Sequence, residues 1–377
     1  YPMIFLYVIL AILMLLLMIT IHEAGHYVAG KALGFGINEF SIGFGPKLLS
    51  RRLRSGEVFS VRALPIGGFC SFVGEDDAGS AKPTADPFGE ESESGRKAEV
   101  DAAGRKEAGV EAAKSVAFGA QKPWKRIIVL AAGPVFNLLS AFLFSFIYIL
   151  AVGYAVPVVT ETAVDPATGE PYASAFETGD VIVAVNGEDI TFLSSASELI
   201  AETSDVGTTV FTVERDGKRT DITAEKHLSE DGYVFGLTMT YETRSVGVLR
   251  AAGYCFPYTF ELSWAVIRSF GMLLTGGVPF TDVTGPVGTV AAIAEYAAVD
   301  SRYLLLFLPL IASNLAIFNI LPIPALDGAR IVFAIIEWIR RKPINAKVEG
   351  AIHAVGLLVL LAFVLVVDIV GMISRLL

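Results

Sequence analysis

Four stretches of this chain stay apolar far longer than a soluble helix requires, and shorter patches of alternating polarity lie between them. The first runs over 3–29 and its only charged residue is Glu23. The second covers 125–152 (KRIIVLAAGPVFNLLSAFLFSFIYILAV), the third 302–321 (RYLLLFLPLIASNLAIFNIL) and the fourth 350–373 (GAIHAVGLLVLLAFVLVVDIVGMI). About 20 helical residues cross a bilayer's hydrocarbon core, so each stretch predicts a transmembrane helix. A fifth helical pattern, 248–274, carries Glu261 and Arg268 and reads as amphipathic or peripheral.

Between the first two spans, 36–74 alternates apolar and polar positions around glycines, as in NEFSIGFG and EVFSVRALPIGG, which predicts short strands and hairpins. Residues 75–121 are rich in Ala, Gly, Glu, Ser and Lys with few bulky apolar side chains, the composition of a mobile loop. After the second span, GDVIVAVNGEDI reads as a buried strand ending in an Asn-Gly turn. TTVFTVERDGKRTDITAE reads as two strands joined at Asp216-Gly217, and SSASELIAE between them as a capped helix.

The expected fold is an α-helical polytopic membrane protein with four transmembrane helices, a β-hairpin region and a separate α+β domain. Its parts are a first span at 1–30, a strand and hairpin region at 31–74, the loop at 75–121 and a second span at 122–154. The α+β domain follows at 155–242, an amphipathic helix and linker at 243–301, a third span at 302–328, a loop at 329–349 and a fourth span at 350–377.

Composition agrees with this reading. Of 377 residues, 53% are hydrophobic and 18% charged, an apolar excess that belongs to integral membrane proteins. The net charge of −10 arises mainly from the middle of the chain and implies no nucleic-acid partner. Cys70 and Cys255 form no CxxC, which argues against a disulfide framework or a cysteine metal site. Basic residues next to the spans set the orientation. Lys31, Lys47, Arg51, Arg52, Arg54 and Arg62 follow the first span, Lys122, Lys125 and Arg126 precede the second, and Arg330, Arg340, Arg341, Lys342 and Lys347 lie between the third and fourth. The 20 residues after the second span hold Glu161, Asp165 and Glu170 without Lys or Arg. Residues 27–125 and 322–349 are therefore expected on the cytoplasmic side, with 153–301 and both termini outside.

Candidate chemistry sits at the end of the first span, in MITIHEAGHYVAG. Residues i and i+4 share a helix face, so His22 and His26 can offer two imidazoles to one metal ion, with Glu23 close enough to act on a water beside it. This HExxH pattern is the zincin arrangement of two Zn2+ ligands and a general base. Taken alone it also fits a histidine pair at the membrane interface. Ionisable groups are costly in a span, which favours a functional reading. A third ligand is required. His353 lies at a suitable depth in the fourth span. Asp327 in NILPIPALDGAR fits better, because about 24 helical residues from the outer end bring it to the level of His22. Pro322 and Pro324 break the helix there, and irregular backbone at membrane depth belongs beside protein or a water-filled cavity.

HEAGH, GPVFN at 133–137 and NILPIPALDG at 319–328 together resemble the site-2 protease family of intramembrane zinc metalloproteases. The single domain between spans two and three and TGPVGT at 284–289 are similar to its bacterial RseP/RasP-like branch. The resemblance implies that His22, His26 and Asp327 hold zinc and that Glu23 is the catalytic glutamate. It implies that Asn319 lies beside the substrate peptide, and that 57–73 is a membrane-reentrant β-hairpin holding the substrate extended, where Gly67 and Gly68 would let backbones approach. Asn137 is a candidate lining residue of the cleft or a packing residue between helices. The 155–242 domain would be PDZ-like and would admit substrates already shortened outside; it has no clear carboxylate-binding loop, which favours a steric role. The implied partners are single-pass transmembrane substrates, such as anti-sigma factors or remnant signal peptides, and the lipid bilayer of a bacterial inner membrane. The alternative is a membrane PDZ scaffold with an inactive metal site. A zinc hydrolase of soluble peptides would not bury HExxH at the end of such an apolar run. Substrate identity and oligomeric state are not legible.

Overall fold

The computed structural model describes residues 2–75, 117–164, 175–192, 196–204, 207–229, 232–277 and 283–376; most of the loop expected at 75–121 lies outside them. The chain folds as two compact units, one of Tyr1–Phe142 with Ser263–Leu377 and one of Leu143–Leu262.

The first unit carries the long apolar helices. Helix α1 (Pro2–Ala32) has Lys31 in its last turn. It ends in a Schellman-type motif: Gly34 takes φ +80°, and the Phe35 N–H reaches the Gly30 carbonyl at 2.9 Å. Helix α2 (Pro123–Val152) opens on a proline, whose missing N–H costs nothing in a first turn, and contains Pro134. Among the described residues, four helices are long and apolar enough to cross a membrane: Met3–Ala32, Pro123–Val152, Tyr303–Ile320 and Ala346–Gly371. Their outward faces are apolar and exposed, as at Phe5, Leu13, Leu143, Leu358 and Leu365, where lipid would replace water. The chain is thus a multi-pass membrane protein.

After α1, strands β1 (Ile37–Arg52) and β2 (Val58–Phe72) fold into a small sheet. Glu39–Ile42 is paired twice, with Val58–Val61 on one side and Gly68–Ser71 on the other, while Leu49–Arg52 returns against Val58–Val61. Gly68–Ser71 is left as an outer edge. A core of Phe35, Phe40, Cys70, Phe72, Phe118, Val129 and Leu130, with Tyr27 and Ile331 against it, locks this sheet to the helices. Burying such side chains stabilises by about 1.5–3 kcal/mol each, enough to fix the sheet beside the end of α1.

The second unit is built on a sheet of β3 (Tyr154–Thr162), β4 (Val181–Val185), β5 (Glu188–Asp189), β6 (Thr208–Arg215), β7 (Lys218–Glu225) and, after the small β8 (His227–Ser229) and β9 (Gly232–Val234) pair, β10 (Leu237–Arg244). Its order is β10-β3-β4-β6-β7, with β5 on β4. Positive φ at Asn186, Gly187, Asp216 and Gly217 makes the two tight turns that Asn-Gly and Asp-Gly announced. Helix α3 (Ala196–Ala201) lays Leu199 and Ile200 on a core of Val159, Ile182, Phe211 and Val213. Arg215 clasps the buried Asp180 with two hydrogen bonds of 2.7 Å. Burial alone would raise the Asp180 carboxyl, but Arg215 and the Glu177 N–H outweigh it and hold it below its ordinary value.

Helix α4 (Val248–Thr275) is the amphipathic pattern of the sequence. Helix α5 (Pro286–Val299), by contrast, falls where a linker was expected. Tyr7 and Val8 of α1 pack on its Ala294 and Ala297. Asp368, in α8 (Ala346–Leu376), caps it by accepting the Gly288 N–H at 3.2 Å. Helix α6 (Tyr303–Ile320) ends before Pro322, short of the span expected to reach 328, and Asp327 opens α7 (Asp327–Arg340), most of which occupies the 329–349 stretch expected to be a loop. Helix α7 is held by Glu337, which meets Arg126 at 2.5 Å and accepts the Ile344 N–H at 2.8 Å.

Candidate metal centre

The i, i+4 spacing turns both imidazoles of α1 to one side, and the break after α6 brings Asp327 to meet them. His22 Nε2 lies 2.9 Å from Asp327 Oδ2, His26 Nε2 lies 3.3 Å from that oxygen, and the two ring nitrogens are 3.2 Å apart. Tetrahedral zinc with bonds of about 2.0–2.1 Å separates its ligand atoms by roughly 3.3 Å, so this triangle has the size of one face of a zinc tetrahedron. Among the described residues, buried Asp327 Oδ2 has no neighbour of hydrogen-bonding geometry and faces only these two imidazole nitrogens. A buried carboxylate oxygen turned to two imidazole nitrogens is stabilised by a cation placed among them. The donor set fits zinc.

Each histidine is oriented from behind. His26 donates its Nδ1–H to the Val129 carbonyl at 2.8 Å, which leaves Nε2 as the lone-pair nitrogen. The Asn137 Nδ2 amide nitrogen lies 3.2 Å from His22 Nδ1, and among the described residues Oδ1, on the other side of that amide, has no partner. With Nε2 of His22 turned to the metal, Nδ1 carries the ring proton, and the amide orientation that presents Oδ1 satisfies both groups. The side chains come this close because α1 and α2 almost touch. A Cβ on Gly25 would stand 2.4 Å from the Ala132 carbonyl oxygen, and one on Gly133 would stand 2.5 Å from His26 Nε2.

Glu23 lines a cavity of about 990 Å³ together with His22, His26 and Asp327. The Cys70 N–H is turned to its carboxylate. Gly68 lies beside it: a Cβ there would be 3.6 Å from Glu23 Cγ and 2.9 Å from the Ser41 carbonyl oxygen. The edge Gly68–Ser71 therefore runs past the general-base candidate. Gly67 has φ +105° and a Phe44 ring atom 2.0 Å from where its Cβ would be, so it shapes the turn and is not itself among the cavity-lining residues. Asn319 does line the cavity, and its amide N–H donates to Leu315 O at 2.9 Å. Asn137 is fully buried behind His22, away from the cavity wall. His353 is outside the cluster; its Nδ1 accepts the Ala325 N–H at 3.0 Å.

The reading from sequence passed over Val129, whose role is a backbone carbonyl, and took Gly133 of GPVFN only as a helix-packing position, not as the space that admits both imidazoles. It also missed Arg330, which lines the cavity and pairs with Glu75.

Comparison with known proteins agrees with this geometry. The sequence profile of Peptidase family M50 matches residues 10–363, and the chain belongs to that family. It is a zinc metalloprotease of that family. A putative zinc metalloprotease of Mesorhizobium japonicum is 29% identical over 366 residues, covering 93% of this chain and 94% of that protein. The zinc metalloprotease RasP of Geobacillus kaustophilus is 27% identical over 401 residues, with the same coverage of 93% and 94%. The regulator of sigma-W protease RasP of Bacillus subtilis is 29% identical over 402 residues, again covering 93% and 94%.

Proposed function

We propose that this chain cleaves peptide bonds in or near the transmembrane segments of single-pass membrane proteins, with His22, His26 and Asp327 as zinc ligands and Glu23 as general base. The observation that carries the reading is the meeting of three ligand atoms at one end of an apolar helix, beside Glu23 and an open strand edge. Zinc held there supplies Lewis acidity that makes water a nucleophile near neutral pH. Glu23 takes the proton of the attacking water and returns it to the departing amine nitrogen. A helical peptide bond is shielded by its own hydrogen bonds, so the substrate must be extended first. The Gly68–Ser71 segment has Glu39–Ile42 on one side, so its outer edge is where an extended peptide would add as a further strand, and Gly68 leaves room for a second backbone. Asn319 would contact the peptide from the opposite wall, and Asn137 would fix the tautomer of His22.

Charge distribution favours a site near the cytoplasmic face, with β1–β2 dipping into the membrane there and the 155–242 domain and both termini outside. That domain would act as a PDZ-like filter admitting partners whose outer portion is already short. The Bacillus subtilis relative regulates sigma-W; membrane-anchored regulators of this kind, anti-sigma factors among them, and remnant signal peptides are the substrate classes that fit.

The test pairs zinc content with cleavage of a membrane-embedded reporter. Glu23→Gln should keep zinc at the wild-type ratio and lose cleavage by orders of magnitude, since it removes the proton acceptor and spares the ligands. Cleavage at the wild-type rate by this variant would remove Glu23 from the mechanism. A wild-type chain that binds zinc yet cuts no membrane substrate would return the scaffold reading.

A further inference from the structure

The loop that delivers Asp327 is short, kinked and strained. Ile323 N–H bonds to Leu321 O at 2.7 Å and Leu326 N–H to Ile323 O at 3.1 Å. Between them Ala325 stands at φ +81°, a region that L-residues with a side chain rarely occupy. Its N–H has its partner in α8, where His353 Nδ1 accepts it at 3.0 Å. Helix α7 starts two residues later, and Leu326 offers no side-chain cap. The Leu326 N–H to Ile323 O bond closes a β-turn over Pro324 and Ala325, with the positive φ of a type II turn at its third position, so the local chain supports this conformation in part and contacts from outside the loop reinforce it.

Helix α8 does so at two points. At Gly356 its backbone comes so near that a Cβ would stand 2.3 Å from Pro324 Cβ and 3.0 Å from the Pro324 carbonyl carbon. At His353 the ring sits between the loop and α7, with Phe333 packed edge-on at 5.6 Å between centroids. Accepting a hydrogen bond at Nδ1 requires the neutral ring with its proton on Nε2, and among the described residues buried Nε2 has no partner. The polar contact this ring makes there is the one at Nδ1.

We infer that His353 is a positioning residue for the metal centre: by accepting the Ala325 N–H it holds the left-handed turn that aims the Asp327 carboxylate at His22 and His26. This deepens the site reading and rests on Asp327 being a ligand. Supporting groups one step removed from a metal typically change its affinity about 10- to 100-fold.

The experiment strips zinc from the full chain in detergent and measures its affinity by chelator competition, alongside hydrogen exchange at Ala325. His353→Leu removes the acceptor and should weaken zinc about 10- to 100-fold. His353→Asn places an amide oxygen where Nδ1 was and should stay near wild type. Ala325→Gly relieves the backbone strain, so in that background His353→Leu should lose distinctly less. Wild-type affinity in His353→Leu, equal losses for Leu and Asn, or an undiminished loss in the glycine background would each overturn the inference. Exchange on the zinc-free wild-type chain needs no variant to fold: the Ala325 amide should be protected, and exchange at the rate of an open loop would also overturn it. Asp327→Ala separates the two levels. Unchanged zinc binding there defeats the site reading itself, while loss there with no loss in His353→Leu defeats only the role of His353.

Discussion

Gly133→Ala is the sharpest perturbation the site allows, because one methyl group falls on both histidines. The new Cβ would lie 2.5 Å from His26 Nε2, 2.7 Å from His26 Cε1 and 2.7 Å from His22 Cε1. Ordinary contact begins near 3.4 Å, so the rings must retreat by about 0.9 Å, whereas metal–ligand distances tolerate only about 0.2 Å. The backbone need not move, since the clashing atoms are the tips of side chains. Alanine also suits a helix better than glycine, by about 1 kcal/mol. The fold should therefore survive while zinc binding weakens by more than the roughly 100-fold of a lost supporting residue. Circular dichroism and size exclusion report the fold, and metal analysis with chelator competition reports the site. Stoichiometric zinc at wild-type affinity in Gly133→Ala would refute the placement of the imidazoles beside α2, and with it the three-ligand geometry.

Other expectations follow from neighbouring interactions. Asn137→Leu deprives His22 Nδ1–H of its acceptor and should weaken zinc about 10- to 100-fold in the same competition assay, with reporter binding unchanged. Arg126→Met strands the buried Glu337 carboxylate and should cost about 3–5 kcal/mol of stability in thermal or denaturant unfolding, most of it recovered by adding Glu337→Leu. Asp180 has a folded-state value below its unfolded one, near 3.9, so its clasp with Arg215 stabilises above about pH 4 and is lost as pH falls through the folded value. Urea resistance of peptides from 181–225 to pulse proteolysis should drop from pH 7 to pH 3 in wild type and drop less in Asp180→Asn. Deleting 157–241 should admit bulkier substrates without ending hydrolysis, and complete inactivity of that protein would show instead that the domain is needed for folding or chemistry.

What could be read from the chain was whatever repeats locally. Four apolar runs announced four helices, Asp216-Gly217 announced a hairpin, and the spacing of His22 and His26 announced a shared face. Asp327 was within reach because helical rise converts residue number into membrane depth. Interactions that need a partner from elsewhere were not legible. Alternation along 38–45 marks a strand but cannot say that Glu39–Ile42 has a neighbour on each side. The basic cluster after Arg340 made 329–349 look like a loop, yet Glu337 turns inward to Arg126 and α7 forms from Asp327 onward. Asp368, a lone carboxylate in the fourth apolar run, turns out to cap α5, a partner nothing in its own stretch announces. Gly133 stood in GPVFN, but that it lies against both imidazoles was not legible, because its contribution is an absence of atoms.

Among the contacts of helix α8 with the rest of its unit are two polar ones, Asp368 on the start of α5 and His353 on Ala325. They are 368 − 353 = 15 residues apart, roughly 22 Å along the axis. The TGPVG segment and the turn ahead of Asp327, remote from each other in the chain, are thus fastened to one and the same helix.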